Sequence, residues 1–182
     1  MSDPHVTSVV NTLLRARQSQ QQAEAGEFSE TLNSAEQAYA VQDGVAQALQ
    51  WFGPEGPMHW KSGGASRQAT LTHAPLPPAG IWSSPANAGD FTFYMRGIEA
   101  EVALRLGQSV NAEQAATLDA SGASALVEAM AVSIEVVDSR WTGGMSAPAL
   151  LRLADLQTHG ALVLGPWVPW VPRDWSQQVC RV

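Results

Sequence analysis

The amino-acid sequence predicts an α+β fold, with helices at the N-terminus and a β-rich remainder. Three observations carry that expectation. Apolar residues recur at helical spacing in two early segments, residues 4–14 and 35–49. Glycine and proline then crowd residues 53–90, which excludes long helices and implies short extended pieces joined by turns. Two later runs, residues 97–106 and 131–138, are rich in strand formers.

Taken in order, Asp3-Pro4 has the form of a helix start, with Asp3 as cap and Pro4 in the first turn. Val6, Val9, Val10, Leu13 and Leu14 form the stripe, which runs on as a polar helix through Gln18–Gln22 until Gly26 closes it. A second helix begins near Asn33-Ser34 and puts Ala35, Ala38, Tyr39, Gln42, Val45, Ala46 and Leu49 on one face. Gly53-Pro54 ends it. Residues 1–53 are therefore expected to be an N-terminal helical segment, and 54–182 the β-rich part of the same domain.

Met58–Gly64 reads as a short strand entering a glycine turn, and Phe91–Tyr94 as a strand leading into residues 97–107. Asn111–Gln114 opens a short helix. Ser121–Met130 reads as a helix that passes into a strand over Ala131–Asp138. Pro148–His159 is a further helix, Gly160–Gly165 a buried strand, and Gln177–Val182 the start of another strand after a tail holding Trp167, Trp170 and Trp175.

With 182 residues and 45% hydrophobic side chains, the chain suits one folded domain with a real core. Its net charge of -7 argues against nucleic acid or an anionic membrane as the main partner. One cysteine, Cys180, cannot form an internal disulfide, which fits a reducing cytoplasm. Neither a signal peptide nor an apolar run of membrane-spanning length is present.

Candidate chemistry starts at Glu99 and Glu101. On a strand, residues i and i+2 share a face, so these carboxylates stand side by side with Ile98, Ala100 and Val102 opposite. Two like charges held so close favour either protonation or a cation between them, and a hard divalent ion suits oxygen ligands. The alternative is an exposed edge strand with two glutamates on its solvent face. Glu135 interrupts a β-branched run, where a charge needs a partner or a function; a salt bridge to Arg140 or Arg105 is the structural alternative. Lys61 is the only lysine beside nine arginines. Asp138 and Arg140 read as an ion pair fixing a strand end, and His59 and His73 lack partners at metal-ligand spacing.

Four stretches occur in a fixed order: Tyr39-Ala40-Val41-Gln42, His59-Trp60-Lys61, Ile98-Glu99-Ala100-Glu101-Val102-Ala103, and Ile134-Glu135-Val136-Val137-Asp138-Ser139-Arg140. Ala154-Asp155 and Leu162–Gly165 add weaker matches. In this set the sequence resembles the 2-keto-4-pentenoate hydratase and 4-oxalocrotonate decarboxylase family, within the fumarylacetoacetate hydrolase superfamily. The resemblance implies N-terminal helices packed on a mixed, twisted β-roll core. It implies Mg2+ or Mn2+ held by Glu99, Glu101 and Glu135, with Lys61 as the catalytic residue at the substrate end. The implied reaction is that of a hydro-lyase of aromatic catabolism, adding water to 2-hydroxypenta-2,4-dienoate to give 4-hydroxy-2-oxopentanoate. Decarboxylation of 4-oxalocrotonate is the rival chemistry, and a non-catalytic assembly partner the rival role. A homo-oligomer, associated with a pathway enzyme, is the implied assembly. Two departures stand out: Trp60-Lys61-Ser62-Gly63-Gly64 replaces the family's usual Trp-Lys-Ile/Val-Gly, and relatives continue into further strands, so C-terminal strands are expected to be missing here.

Overall fold

The computed structural model describes residues 3–64, 66 and 68–181. Helix α1 (Pro4–Ser19) starts where Asp3 accepts a hydrogen bond from the His5 amide at 2.8 Å. The other Asp3 oxygen accepts from Gln37 Nε2 at 2.7 Å, which ties this cap to helix α2 (Ala35–Ala48). Ser34 caps α2 through the Gln37 amide. The two helices approach closely at Gly44, where an added Cβ would lie 2.8 Å from a Val10 methyl. Val9 and Leu13 of α1, Val41 and Val45 of α2, and Trp141 and Leu151 form a buried core. Trp141 is fully enclosed and donates its indole N–H to the Leu151 carbonyl at 3.0 Å.

The strands form two sheets. β1 (Trp60–Gly63) and β2 (Thr72–Pro75) make an antiparallel hairpin. β3 (Ile81–Ser83), β4 (Gly97–Leu106), β5 (Val127–Val137), β6 (His159–Leu164) and β7 (Val168–Pro169) make the second sheet, with α3 (Ala112–Thr117) and α4 (Ala120–Ala125) between β4 and β5. Its order is β3-β6-β5-β4, with β7 also on β5, and it is mixed because only β3 runs parallel to its neighbour. The last α-helix, α5 (Ala149–Ala154), packs on α2. The α+β class expected from the sequence is therefore the class observed. No helix among the described residues is long and apolar enough to cross a membrane.

Alternation along β5 is strict where it matters. Ala129, Ala131, Ser133, Glu135 and Val137 are buried, and the intervening residues face the other side. That other side is bare: Ile98, Val102, Leu104 and Leu106 of β4 and Val132 of β5 are all exposed, Val132 at 70%. Contiguous apolar exposure of this kind is unusual on a free monomer.

Several expected boundaries move. α1 stops at Ser19 because Gln20 turns left-handed (φ 52°) and closes on Ala16, well before Gly26, and α2 stops at Ala48 before Gly53. The helix expected over 121–130 ends at Ala125, since the long β4 edge recruits Val127–Met130 into the ladder. Phe91–Tyr94 is not a strand: the amides of Tyr94 and Met95 donate to the Asp138 carboxylate at 2.7 and 2.8 Å. The helix expected to reach His159 ends at Ala154, and His159 instead opens β6. Residues 178–181 form no strand, and Val182 lies outside the described residues.

Candidate metal centre

The antiparallel pairing of β4 and β5 places Glu99 directly opposite Glu135, and Glu101 opposite Ser133. One carboxylate oxygen from each of Glu99, Glu101 and Glu135 lies within 4.8 Å of the others. Glu99 is exposed, Glu101 half-buried and Glu135 buried. Like charges directly opposite on a sheet repel, so this pairing needs compensation.

Part of the compensation comes from the hairpin. Lys61 on β1 reaches across to Glu135, with Nζ 2.6 Å from both carboxylate oxygens and 3.3 Å from the Gln157 carbonyl. Glu135 therefore pairs with Lys61, and neither Arg140 nor Arg105 fills that place. Arg105 bonds Glu128 at 2.6 Å, while Arg140 bonds Asp155 at 2.7 Å and stands 3.8 Å from Asp138. The expected Asp138–Arg140 pair is thus secondary to Arg140–Asp155. His59 is exposed, and His73 stacks on Tyr39 at 4.4 Å.

A second donor was not legible in the sequence. His159 Nδ1 lies 2.7 Å from Glu135 Oε1, with both residues buried. The chain reaches this position through Leu156, Gln157 and Thr158, three consecutive left-handed residues (φ 54°, 54° and 59°). Such geometry costs roughly 1–2 kcal/mol per residue for L-amino acids, more for a β-branched one. Strain of this kind persists where the surroundings hold it, and functional sites are where it clusters. A lone histidine followed by Gly160 gives no periodic signal of this arrangement.

The electrostatics follow from the geometry. Burial pushes the Glu101 carboxyl up, the charges of Glu135 and Glu99 add to that, and Lys61 offsets part. Burial also acts to raise Glu135, but the His159 hydrogen bond and the Lys61 charge and hydrogen bond outweigh it and hold the carboxyl below the usual range. Burial pushes His159 down, against the pull of Glu135, which leaves a neutral ring. Three carboxylates thus face a single ammonium among the described residues. Ser133, on the same face as Glu135 and opposite Glu101, has a buried hydroxyl with no hydrogen-bond partner. An all-oxygen donor set with surplus negative charge and an orphaned hydroxyl beside it fits a hard divalent cation. Two clefts, of 410 and 660 Å3, are lined by other residues, among them Arg17 and Phe93 for the first and Phe52 and Trp60 for the second.

The fold has solved counterparts. Two structures of 4-oxalocrotonate decarboxylase from Pseudomonas putida G7 superpose on this chain, one complexed with magnesium and adipate (TM-score 0.67) and one with calcium and acetate (TM-score 0.62). The chain shares the fold of 4-oxalocrotonate decarboxylase. Identity is 15% in both cases, and 91% of this chain is covered against 64% and 63% of theirs. This chain thus spans just under two thirds of the decarboxylase's length. No family model matches the sequence, and neither does any curated protein.

Proposed function

We propose that the protein is a metal-dependent lyase acting on a short 2-oxo or 2-hydroxydienoate acid, with Glu99, Glu101 and Glu135 holding Mg2+ or Mn2+. The observation that carries this reading is the meeting of three carboxylates within 4.8 Å, two from one strand and one from its neighbour, beside the chain's only lysine. A divalent ion at such a site supplies a Lewis acid for the vicinal oxygens of a 2-oxo acid. Within that class we favour hydration of 2-hydroxypenta-2,4-dienoate to 4-hydroxy-2-oxopentanoate. The enol proton leaves, C5 and C3 each gain a proton, and water oxygen bonds to C4.

The chain's own residues account for the rest of the chemistry. Glu135 is held ionised by two donors, so it stays a ligand at neutral pH. Lys61, with 14% of its side chain exposed, sits between Glu135 and the Gln157 carbonyl, from where its ammonium orients an anionic acid and can donate a proton to carbon. Decarboxylation of 4-oxalocrotonate is the second reading, supported by the activity named for the two structures of the same fold. Both reactions depend on drawing charge toward the 2-oxygen, so the same carboxylates serve either.

An assembly role has its own support: the exposed Ile98, Val102, Leu104, Leu106 and Val132 face invites cover by more polypeptide, whether from a homo-oligomer or from an associated pathway enzyme. The deciding experiment offers both acids with Mg2+ or Mn2+ and follows loss of dienoate absorbance against release of CO2. Turnover of the dienoate supports the hydratase, CO2 release the decarboxylase. Turnover of neither, with manganese bound, leaves the assembly role as the function.

A further inference from the structure

We propose that His159 is a positioning residue that fixes the Glu135 carboxylate for ion binding; this rests on the metal reading above. Glu135 Oε1 takes hydrogen bonds from both Lys61 and His159, at 2.6 and 2.7 Å, whereas Oε2 takes one from Lys61 alone. A carboxylate oxygen offers about two lone-pair sites, so the doubly bonded Oε1 is filled and Oε2 keeps a free one. His159 thereby selects which oxygen of Glu135 remains available as a ligand. Without it, Lys61 alone holds the carboxylate, at 2.6 Å from both oxygens, and nothing distinguishes one oxygen from the other.

The backbone is shaped for this contact. Along β6, Ala161 pairs with Val136, and a regular ladder would pair His159 with Asp138, on the face away from Glu135. The register instead shifts between Val136 and Val137, so His159 pairs with Val137 and joins the Glu135 face. Gly160 is the residue passed over. A Cβ there would lie 2.7 Å from the Val136 carbonyl and 2.9 Å from the Asp138 Cβ, so the bulge requires glycine. Before it, the left-handed turn at Leu156–Thr158 sets the entry, and the Gln157 carbonyl on that turn also anchors Lys61. Two irregularities, one on each side of His159, turn one ring toward one carboxylate. The ring's other nitrogen, Nε2, is buried with no partner among the described residues, so Glu135 is its one polar anchor. Outer-shell donors of this kind commonly change metal affinity by about 10–100-fold when removed.

The test is calorimetric titration of Mn2+ into wild type, His159→Leu, His159→Asn and His159→Gln, with thermal unfolding measured on each. An asparagine amide can place an N–H near the Nδ1 position, whereas glutamine places it near Nε2. Wild type should bind Mn2+. His159→Leu and His159→Gln should bind it about 10–100-fold more weakly, and His159→Asn should recover most of the loss. A packing role alone would lower thermal stability and leave Mn2+ affinity unchanged, and that result overturns the proposal. If the leucine variant does not fold, the asparagine–glutamine contrast decides, and equal affinities there overturn it too. Absence of Mn2+ binding by folded wild type overturns the metal reading itself, and the positioning role with it.

Discussion

Lys61 and Glu135, 74 residues apart in sequence, meet with the lysine Nζ 2.6 Å from both carboxylate oxygens. This contact fastens the β1–β2 hairpin to the main sheet, and it buries a charge pair in which Glu135 has 1% and Lys61 14% side-chain exposure. Removing one member of a buried pair strands the other. Lys61→Met is expected to cost about 3 kcal/mol, the lower end of the usual range, because His159 still bonds Glu135. Urea denaturation measures it, and Lys61→Met/Glu135→Gln should recover part of the loss. A single-variant cost under about 1 kcal/mol would show that the pair is not holding the hairpin in solution.

Glu101 and Glu135 give opposite pH dependences. Glu101 is raised in the folded protein, so the native state binds its proton more readily than the unfolded chain does, and metal-free stability grows as pH falls from neutrality toward the ordinary value of 4.5. Glu135 is lowered, so its contribution is present above 4.5 and is lost as pH falls below 4.5 through its folded value. Metal-free protein should show its highest melting temperature in mildly acidic solution. Glu101→Gln should raise the neutral-pH melting temperature by about 2 °C, allowing for solvent screening of a half-exposed group. Scanning calorimetry from pH 4 to 8 checks both, and saturating Mn2+ should suppress the acid-side rise in wild type.

Asp155 is the hub of a second buried charge cluster. Its carboxylate accepts from the Arg140 amide at 2.8 Å, from Arg140 Nε at 2.7 Å and from Arg17 at 3.1 Å. Asp155 is fully buried, and Arg17 has a fifth of its side chain exposed. Asp155→Ala leaves Arg17 without its bonded anion and Arg140 with only the more distant Asp138, and should cost about 3–5 kcal/mol. Asp155→Asn, which keeps one acceptor oxygen, should cost less. Chemical denaturation of the two variants separates charge loss from loss of shape.

Much of this arrangement was legible in the sequence. The Glu99/Glu101 face followed from strand alternation, and Glu135 stood out as a charge within a β-branched run. The helix starts at Asp3 and Ser34 followed from cap chemistry, as did the Asn111 capping box. What escaped depended on long-range partners. Leu126–Met130 has helical spacing, yet Val127–Met130 is strand because β4 is long enough to need those residues as partners. Phe91–Tyr94 has strand composition, but Asp138 draws the following amides away from any ladder. His159 carried no signal because its role depends on a left-handed turn formed by non-glycine residues, where sequence preference points elsewhere.

Gly160 supplies the sharpest test of that local geometry. In Gly160→Ala the new methyl would meet the Val136 carbonyl at 2.7 Å, and backbone on both strands must shift to admit it. Overpacking of this kind costs about 1–3 kcal/mol. Gly165→Ala is a control for the carbonyl clash, since its methyl would meet the Val132 carbonyl at 2.8 Å beyond the other end of the same strand. Both substitutions should lower the melting temperature, Gly160→Ala by more, because its methyl also meets the Asp138 Cβ at 2.9 Å. Only Gly160→Ala disturbs the bulge that turns His159 to the Glu135 face, so only it should weaken Mn2+ binding in a calorimetric titration. Equal weakening by both would mean that the sheet as a whole, and not the bulge, sets the carboxylate geometry.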